Sequence, residues 1–149
     1  ETVLQEVADM RARISMAKAP AGTLDVKIGP GRLLDVELVS QAGAVLAGLP
    51  VTDVASGLRG AVAIGWLDDA DLTALNQVYD LCWRVQVAAR LVSEHPLEVS
   101  GMGQAGRDFL LRITGVRDVD SLQSRLVDLA RQAADRIAKA LPAHREDGP

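Results

Sequence analysis

Apolar residues recur along this chain at three- and four-residue spacing, the period of one face of a helix. The first stretch, 2–18, sets Val3, Val7, Met10, Ile14 and Ala17 on one face, with Glu6, Asp9, Arg11 and Arg13 outside. Pro20-Ala21-Gly22 breaks it. Leu34, Leu38, Ala42, Val45 and Leu49 predict a second helix from 33 to 49, ended by Pro50. Gly43, Ala44, Ala47 and Gly48 within it would let another helix approach closely. A third helix, capped by Thr52 or Asp53, has apolar positions Val54, Leu58, Ala61 and Ile64, with Gly65 as its left-handed terminator.

The longest periodic run follows Asp68-Asp69-Ala70-Asp71, an acidic start that suits the helix dipole. Its stripe is Leu72, Leu75, Val78, Tyr79, Cys82, Val85, Ala89 and Val92, and Pro96 ends it at or before His95. A loop over 96–106 leads to a short helix, Arg107–Thr114, closed by Gly115. Asp120 and Gln123 have capping-box spacing for a last helix whose stripe is Leu122, Leu126, Leu129, Ala133, Ile137 and Leu141. The pattern predicts an all-α fold: an antiparallel multi-helix bundle of five to six helices entered through the turn Gly29-Pro30-Gly31. The expected organisation is one helical domain over 1–141: a lead-in helix (1–18), a linker and turn (19–32) and a bundle (33–141). A disordered tail over 142–149 completes it.

Composition agrees. Only Trp66, Trp83, Tyr79 and Phe109 are aromatic in 149 residues rich in Ala, Leu and Val. A net charge of −4 argues against a nucleic-acid surface. No apolar run reaches the roughly 20 residues that span a bilayer, and no signal peptide is visible, so a cytoplasmic setting is expected. The lone Cys82 excludes an internal disulfide and a Cys-based zinc site, and suits a small buried residue.

The chemically suggestive motifs have plainer readings beside them. Gly101-Met102-Gly103-Gln104-Ala105-Gly106 matches a dinucleotide fingerprint but follows a helix, without the strand–helix–strand setting that fingerprint needs. It is read as a Gly-rich loop. The D-x-D pairs Asp69/Asp71 and Asp118/Asp120 lie where helix caps belong, and are read as caps. His95 and His144 lack metal-ligand spacing. Trp83 is expected on a packing face. Around Gly29-Pro30-Gly31, a tight turn feeds a helix start beside Lys27 and Arg32, an arrangement able to hold an anion. Leu24–Ile28 before it is either a short strand or an ordered loop. Asp35 and Glu37, two apart, point about 200° away from each other on a helix and cannot line one metal site.

The stretch from Asp25 to Gln41 resembles the motif D-x-K-x-x-x-G-G-[IL]-x-[DE]-I-E-F-x-x-Q of the glutamine synthetase adenylyltransferases. Asp25, Lys27, Gly31, Asp35, Glu37 and Gln41 fall on it; Arg32 stands where the second Gly is usual, and Leu34 and Leu38 also depart. The resemblance implies the helical domain that follows a nucleotidyltransferase domain in a bifunctional enzyme, placed toward the parent's C-terminal end. Such a parent uses ATP and magnesium to transfer AMP to a tyrosine of glutamine synthetase, while the helical piece alone carries no catalytic, cofactor or metal residues. Lys27, Gly29, Gly31, Arg32, Asp35, Glu37 and Gln41 would form its seam with the catalytic domain. The implied partners are that domain, glutamine synthetase and a nitrogen-signalling regulatory protein, with no nucleic acid and no membrane. The alternatives are the matching domain of a protein uridylyltransferase, or a helical interaction module with no enzymatic parent.

Overall fold

The computed structural model describes residues 2–95 and 97–143. Six α-helices and one 3-10 turn, Val99–Gly101, form among them, with no strand. The helices are α1 (Thr2–Ala17), α2 (Leu33–Leu46), α3 (Val54–Ala63), α4 (Asp69–Val92), α5 (Gln104–Thr114) and α6 (Val119–Ala140). The fold is all-α and bundle-like, as the periodicity predicted. The tail from His144 onward and Pro96 lie outside the described residues. No helix among the described residues is long and apolar enough to cross a membrane.

Local chemistry sets most of the boundaries. Asp53 accepts from the Ser56 N–H at 2.8 Å and caps α3. Asp68 and Asp71 close a capping box on α4. Those backbone bonds stabilise charged caps, and the Ser56 N–H accordingly holds the Asp53 carboxyl below its ordinary range. Asp118, not Asp120, caps α6 by accepting from the Ser121 N–H at 2.7 Å. The cap thus lies two residues earlier than the spacing with Gln123 suggested. Both α2 and α3 end in Schellman motifs. Leu49 N–H bonds the Ala44 carbonyl behind Gly48 (φ +66°), and Trp66 N–H bonds the Ala61 carbonyl behind Gly65 (φ +75°). Gly48 therefore stops α2 at Leu46, before Pro50 is reached. α5 starts three residues earlier than predicted, with Gly103 at its N-cap and Gly106 inside it.

The core runs through Leu58, Leu75, Val78, Val85, Leu110, Leu122, Leu126 and Ile137, all essentially inaccessible. Leu75, Val78, Val85, Leu122, Leu126 and Ile137 belong to the stripes that the sequence predicted for α4 and α6, whereas Val92, expected at the end of the α4 stripe, is 40% exposed. α2 and α3 approach through glycine: a Cβ on Gly43 would lie 2.5 Å from the Gly57 carbonyl oxygen, and one on Gly57 would lie 2.2 Å from that of Ser40. Ser40 Oγ donates to the Val54 carbonyl at 2.9 Å, which removes a polar cost from this dry contact. Trp66 Nε1 donates to the Ala140 carbonyl at 3.0 Å, tying the end of α3 to the end of α6.

Three expected faces are corrected. In α2 the inward residues are Leu33, Asp35, Val36, Val39, Ser40, Ala42, Gly43 and Ala44, so of the expected stripe only Ala42 lies inward. Leu34 and Leu38 are only half-buried, and Val45 and Leu49 are 55% and 45% exposed. The helix is apolar nearly all round, so periodicity alone picked the wrong side. In α1 only Ala8 is fully buried, Met10 is exposed, and Arg11 turns inward rather than out. At the end of α3, Ile64 is 47% exposed. Trp83 also departs from its expected packing face: it is 48% exposed and lies parallel to Tyr79, ring centroids 6.5 Å apart.

Cys82 is buried as expected, and burial pushes its thiol up from 9.0 to about 12, against a smaller opposing pull from the Arg32 charge. Unfolding at pH above 9 therefore releases a proton that the folded chain holds, and stability falls as pH rises from about 9 to 12. In urea melts, the stability gap between the native chain and Cys82→Ala should shrink by up to about 1.4 kcal/mol per pH unit across that window. A gap independent of pH would overturn the assignment. Leu75→Ala and Leu126→Ala should each cost about 2–5 kcal/mol, and Leu38→Ala clearly less, in the same melts.

Candidate functional site

The residues from Asp25 to Gln41 form one built unit at the start of α2. Leu24–Ile28 is an ordered loop, not a strand, and anchors itself through buried Leu24 and Val26. The Asp25 carboxylate accepts from the Ala21 N–H at 2.9 Å and the Lys27 N–H at 3.3 Å. Gly29-Pro30-Gly31-Arg32 then closes by Arg32 N–H to the Gly29 carbonyl, 3.2 Å. Proline second and a positive-φ glycine third (Gly31, φ +70°) are the requirements of a type II turn.

Helix N-termini leave their first N–H groups unpaired, and a buried one must find acceptors. Here the loop supplies them. The Leu33 N–H donates to the Val26 carbonyl at 3.0 Å and the Leu34 N–H to that of Lys27 at 3.1 Å. Asp35 reaches back to accept from the Gly31 N–H at 2.7 Å. The Arg32 side chain, buried at 9% exposure, turns into the loop and donates to the Thr23 carbonyl at 3.0 Å and to the Asp25 carbonyl. These donors are spoken for, and Asp35 already brings a negative charge to the helix end. The expectation that Lys27 and Arg32 together hold an anion is thus corrected for Arg32, whose guanidinium is paired within the loop.

Gly31 is fixed for a second reason. A Cβ there would lie 1.9 Å from the Ala130 carbonyl oxygen of α6. The turn thus seats directly on the backbone of the last helix.

Asp35 has a further partner that the sequence did not reveal: Arg11 Nε of α1 donates to its other carboxylate oxygen at 2.6 Å. Asp35 is 6% exposed, so this ion pair is shielded on its acid side. Beside it a groove of about 450 Å³ opens between α1, the turn, α2 and the end of α6. Its walls include Ile14, Lys18, Ile28, Leu34, Leu38 and Leu141.

The seven residues singled out by sequence thus divide. Gly31, Arg32 and Asp35 face inward and hold the turn, and Gly29 packs against the Arg32 side chain and Pro20. Lys27 and Gln41 are exposed and Glu37 is half-buried, as the 200° separation from Asp35 requires. Glu37 lies close enough to Tyr79 that its charge, after burial, helps raise the Tyr79 hydroxyl above its ordinary pKa. Outside this unit, Gly101–Gly106 runs from the last residue of the 3-10 turn into α5, and a Cβ at Gly106 would crowd Met102 and Val92. Among the described residues, no three His, Cys, Asp or Glu side chains cluster as a metal site would require.

Comparison with known proteins finds relatives over half or more of the chain. Over 134 residues, 87% of this chain, it is 29% identical to the bifunctional glutamine synthetase adenylyltransferase/adenylyl-removing enzyme of Mesorhizobium japonicum, covering 14% of that protein. It is 36% identical to the enzyme of the same description from Xanthomonas oryzae pv. oryzae over 83 residues, half of this chain and 9% of the other. The chain is similar to a segment of the glutamine synthetase adenylyltransferases. A bifunctional uridylyltransferase/uridylyl-removing enzyme from Methylococcus capsulatus is 28% identical over 148 residues, 84% of this chain and 16% of that protein. This chain therefore spans less than a fifth of these nucleotidyltransferases. No family model and no solved structure matches it.

Asp35→Ala should destabilise the chain by about 2–4 kcal/mol, since it strips the Gly31 N–H and Arg11 of their partner. Gly31→Ala should cost at least about 2 kcal/mol through overlap with α6, against about 1 kcal/mol for Gly48→Ala, where the same left-handed backbone faces open space. Lys27→Ala and Gln41→Ala should stay within about 0.5 kcal/mol. Equilibrium urea melts of the five proteins check all of these against the native chain.

Proposed function

We propose that this chain is the helical domain of a bifunctional glutamine synthetase adenylyltransferase. In that reading it packs beside a nucleotidyltransferase domain, the part that uses ATP and magnesium, and supports AMP transfer to a tyrosine of glutamine synthetase in the cytoplasm. A nitrogen-signalling regulatory protein is a further partner of such a parent. The helical domain does no chemistry by itself.

One observation carries this reading: the division of the motif. Its inward members are consumed in making the turn, whereas Lys27, Glu37 and Gln41 stand on the outer side of the same unit. None of the three side chains makes a hydrogen bond or ion pair to another described residue. They flank an apolar stripe on α2, Leu34, Leu38 and Val45, that is only partly covered. A helix apolar on both sides is normally covered on both sides. Charge set around such a stripe suits a seam with a neighbouring domain, where polar groups fix register at the rim.

Similarity to the uridylyltransferase over most of the chain supports a second reading, the matching domain of a protein uridylyltransferase. The two differ in the nucleotide transferred. In the full-length parent, Lys27→Ala or Glu37→Ala should lower transfer of labelled AMP to glutamine synthetase at least ~10-fold, about 1.4 kcal/mol in the barrier. The melting temperature of the chain alone should stay within about 2 °C. Full activity in both variants would return these residues to an ordinary surface, as would equal losses of stability and activity. Transfer of UMP but not AMP by the unmodified parent would favour the second reading.

A further inference from the structure

We propose that α1 is a releasable strap over the outer face of α2, latched by the Arg11–Asp35 ion pair. Its consequence for transfer rests on the seam reading above; the strap itself does not.

α1 is held by little. Of its 16 residues only Ala8 is fully buried, Leu4 and Val7 pack partly against the core, and Met10 and Met16 are 49% and 85% exposed. The connection Lys18–Thr23 is exposed at every position. A groove of about 450 Å³ between α1, Leu34, Leu38 and Leu141 shows that α1 covers this side of α2 only in part. Polar contacts between described residues that bridge α1 to the rest include Arg11 Nε to Asp35 at 2.6 Å and Gln5 Nε2 to the Ala143 carbonyl at 3.3 Å. Segments with few buried apolar contacts open at low free energy, below that of global unfolding. Once undocked, a helix this short is marginal in water, so its amide protection reports docking.

The latch has a defined breaking point. Asp35 keeps its second oxygen on the Gly31 N–H at 2.7 Å, so the acid belongs to the bundle and stays when α1 leaves. Release uncovers Leu34 and Leu38, the end of the outer stripe nearest Lys27 and Glu37. A latched strap therefore masks part of the seam, and an unlatched one presents all of it.

Hydrogen exchange followed by mass spectrometry on the whole 149-residue chain tests this. Peptides from α1 should exchange at least ~10-fold faster than those spanning Leu75–Val85 in α4. Arg11→Ala should speed α1 a further ~5-fold or more while changing the α4 peptides less than about two-fold, and should raise the fluorescence of a dye that binds apolar surface. If α1 and α4 exchange together, or if Arg11→Ala leaves α1 unchanged, the strap is overturned. Faster α1 exchange without a gain in dye fluorescence would overturn the masking. The chain is used alone, so either result is independent of the AMP-transfer assay.

Discussion

The start of α2 is a buried helix N-terminus, and the need to pair its N–H groups governs much of the surrounding structure. Water cannot serve them, because Leu33 and Asp35 are buried and Gly31 lies against α6. The loop from Thr23 to Ile28 therefore folds back to offer the Val26 and Lys27 carbonyls, and Asp35 closes the circuit through Gly31. That arrangement requires a reversal of the chain within four residues, which Gly29-Pro30-Gly31 provides. It also takes up the Leu33 and Leu34 N–H groups and the Arg32 guanidinium, donors that an anion at this helix start would need.

The same constraint couples three elements that are distant in sequence. Asp35 touches α1 through Arg11 and the turn through Gly31, and Gly31 touches α6 at Ala130. A shift of α1 acts first on one oxygen of a carboxylate whose other oxygen positions the turn. A buried ion pair adds little net stability, because desolvation offsets attraction, but it defines a single arrangement.

How far the sequence exposes this depends on whether the signal is local. The cap at Asp53, the acidic start of α4, the terminating Gly65 and Gly115, and most of the stripes of α4 and α6 are set by neighbours within four residues, so they are legible; the N-cap of α4 itself falls on Asp68, with Asp71 completing the box and Asp69 outside it. The inward face of α2 is not legible. Leu34, Leu38, Val45 and Leu49 make as regular a stripe as Leu33, Val36, Val39 and Gly43, and only the glycine contacts with α3 choose between them. Arg11 was misplaced because its partner is 24 residues away. Trp83 was misplaced because a large ring usually seeks the core, whereas this one lies over Tyr79 at the surface. Within the candidate site, the motif shows neither the division into inward and outward residues nor the Arg11 partner of Asp35, because both are properties of tertiary orientation.

Arg32 shows how a departure from the motif is absorbed. Glycine is required only where φ is positive or where a Cβ has no room, and position 32 meets neither condition. Its backbone is extended (φ −97°, ψ −172°), an ordinary helix N-cap conformation, unlike the left-handed Gly31 before it. A side chain there has somewhere to go: the guanidinium spans the loop to the Thr23 and Asp25 carbonyls. A second glycine would leave those carbonyls to other donors and the loop with one fewer tie. The substitution thus stiffens the loop that presents Lys27 without disturbing the turn itself, so the outward members of the motif keep a fixed base. The two glycine positions of the motif are physically unequal, and the one this chain retains, Gly31, is the one that the contact with α6 forbids it to lose.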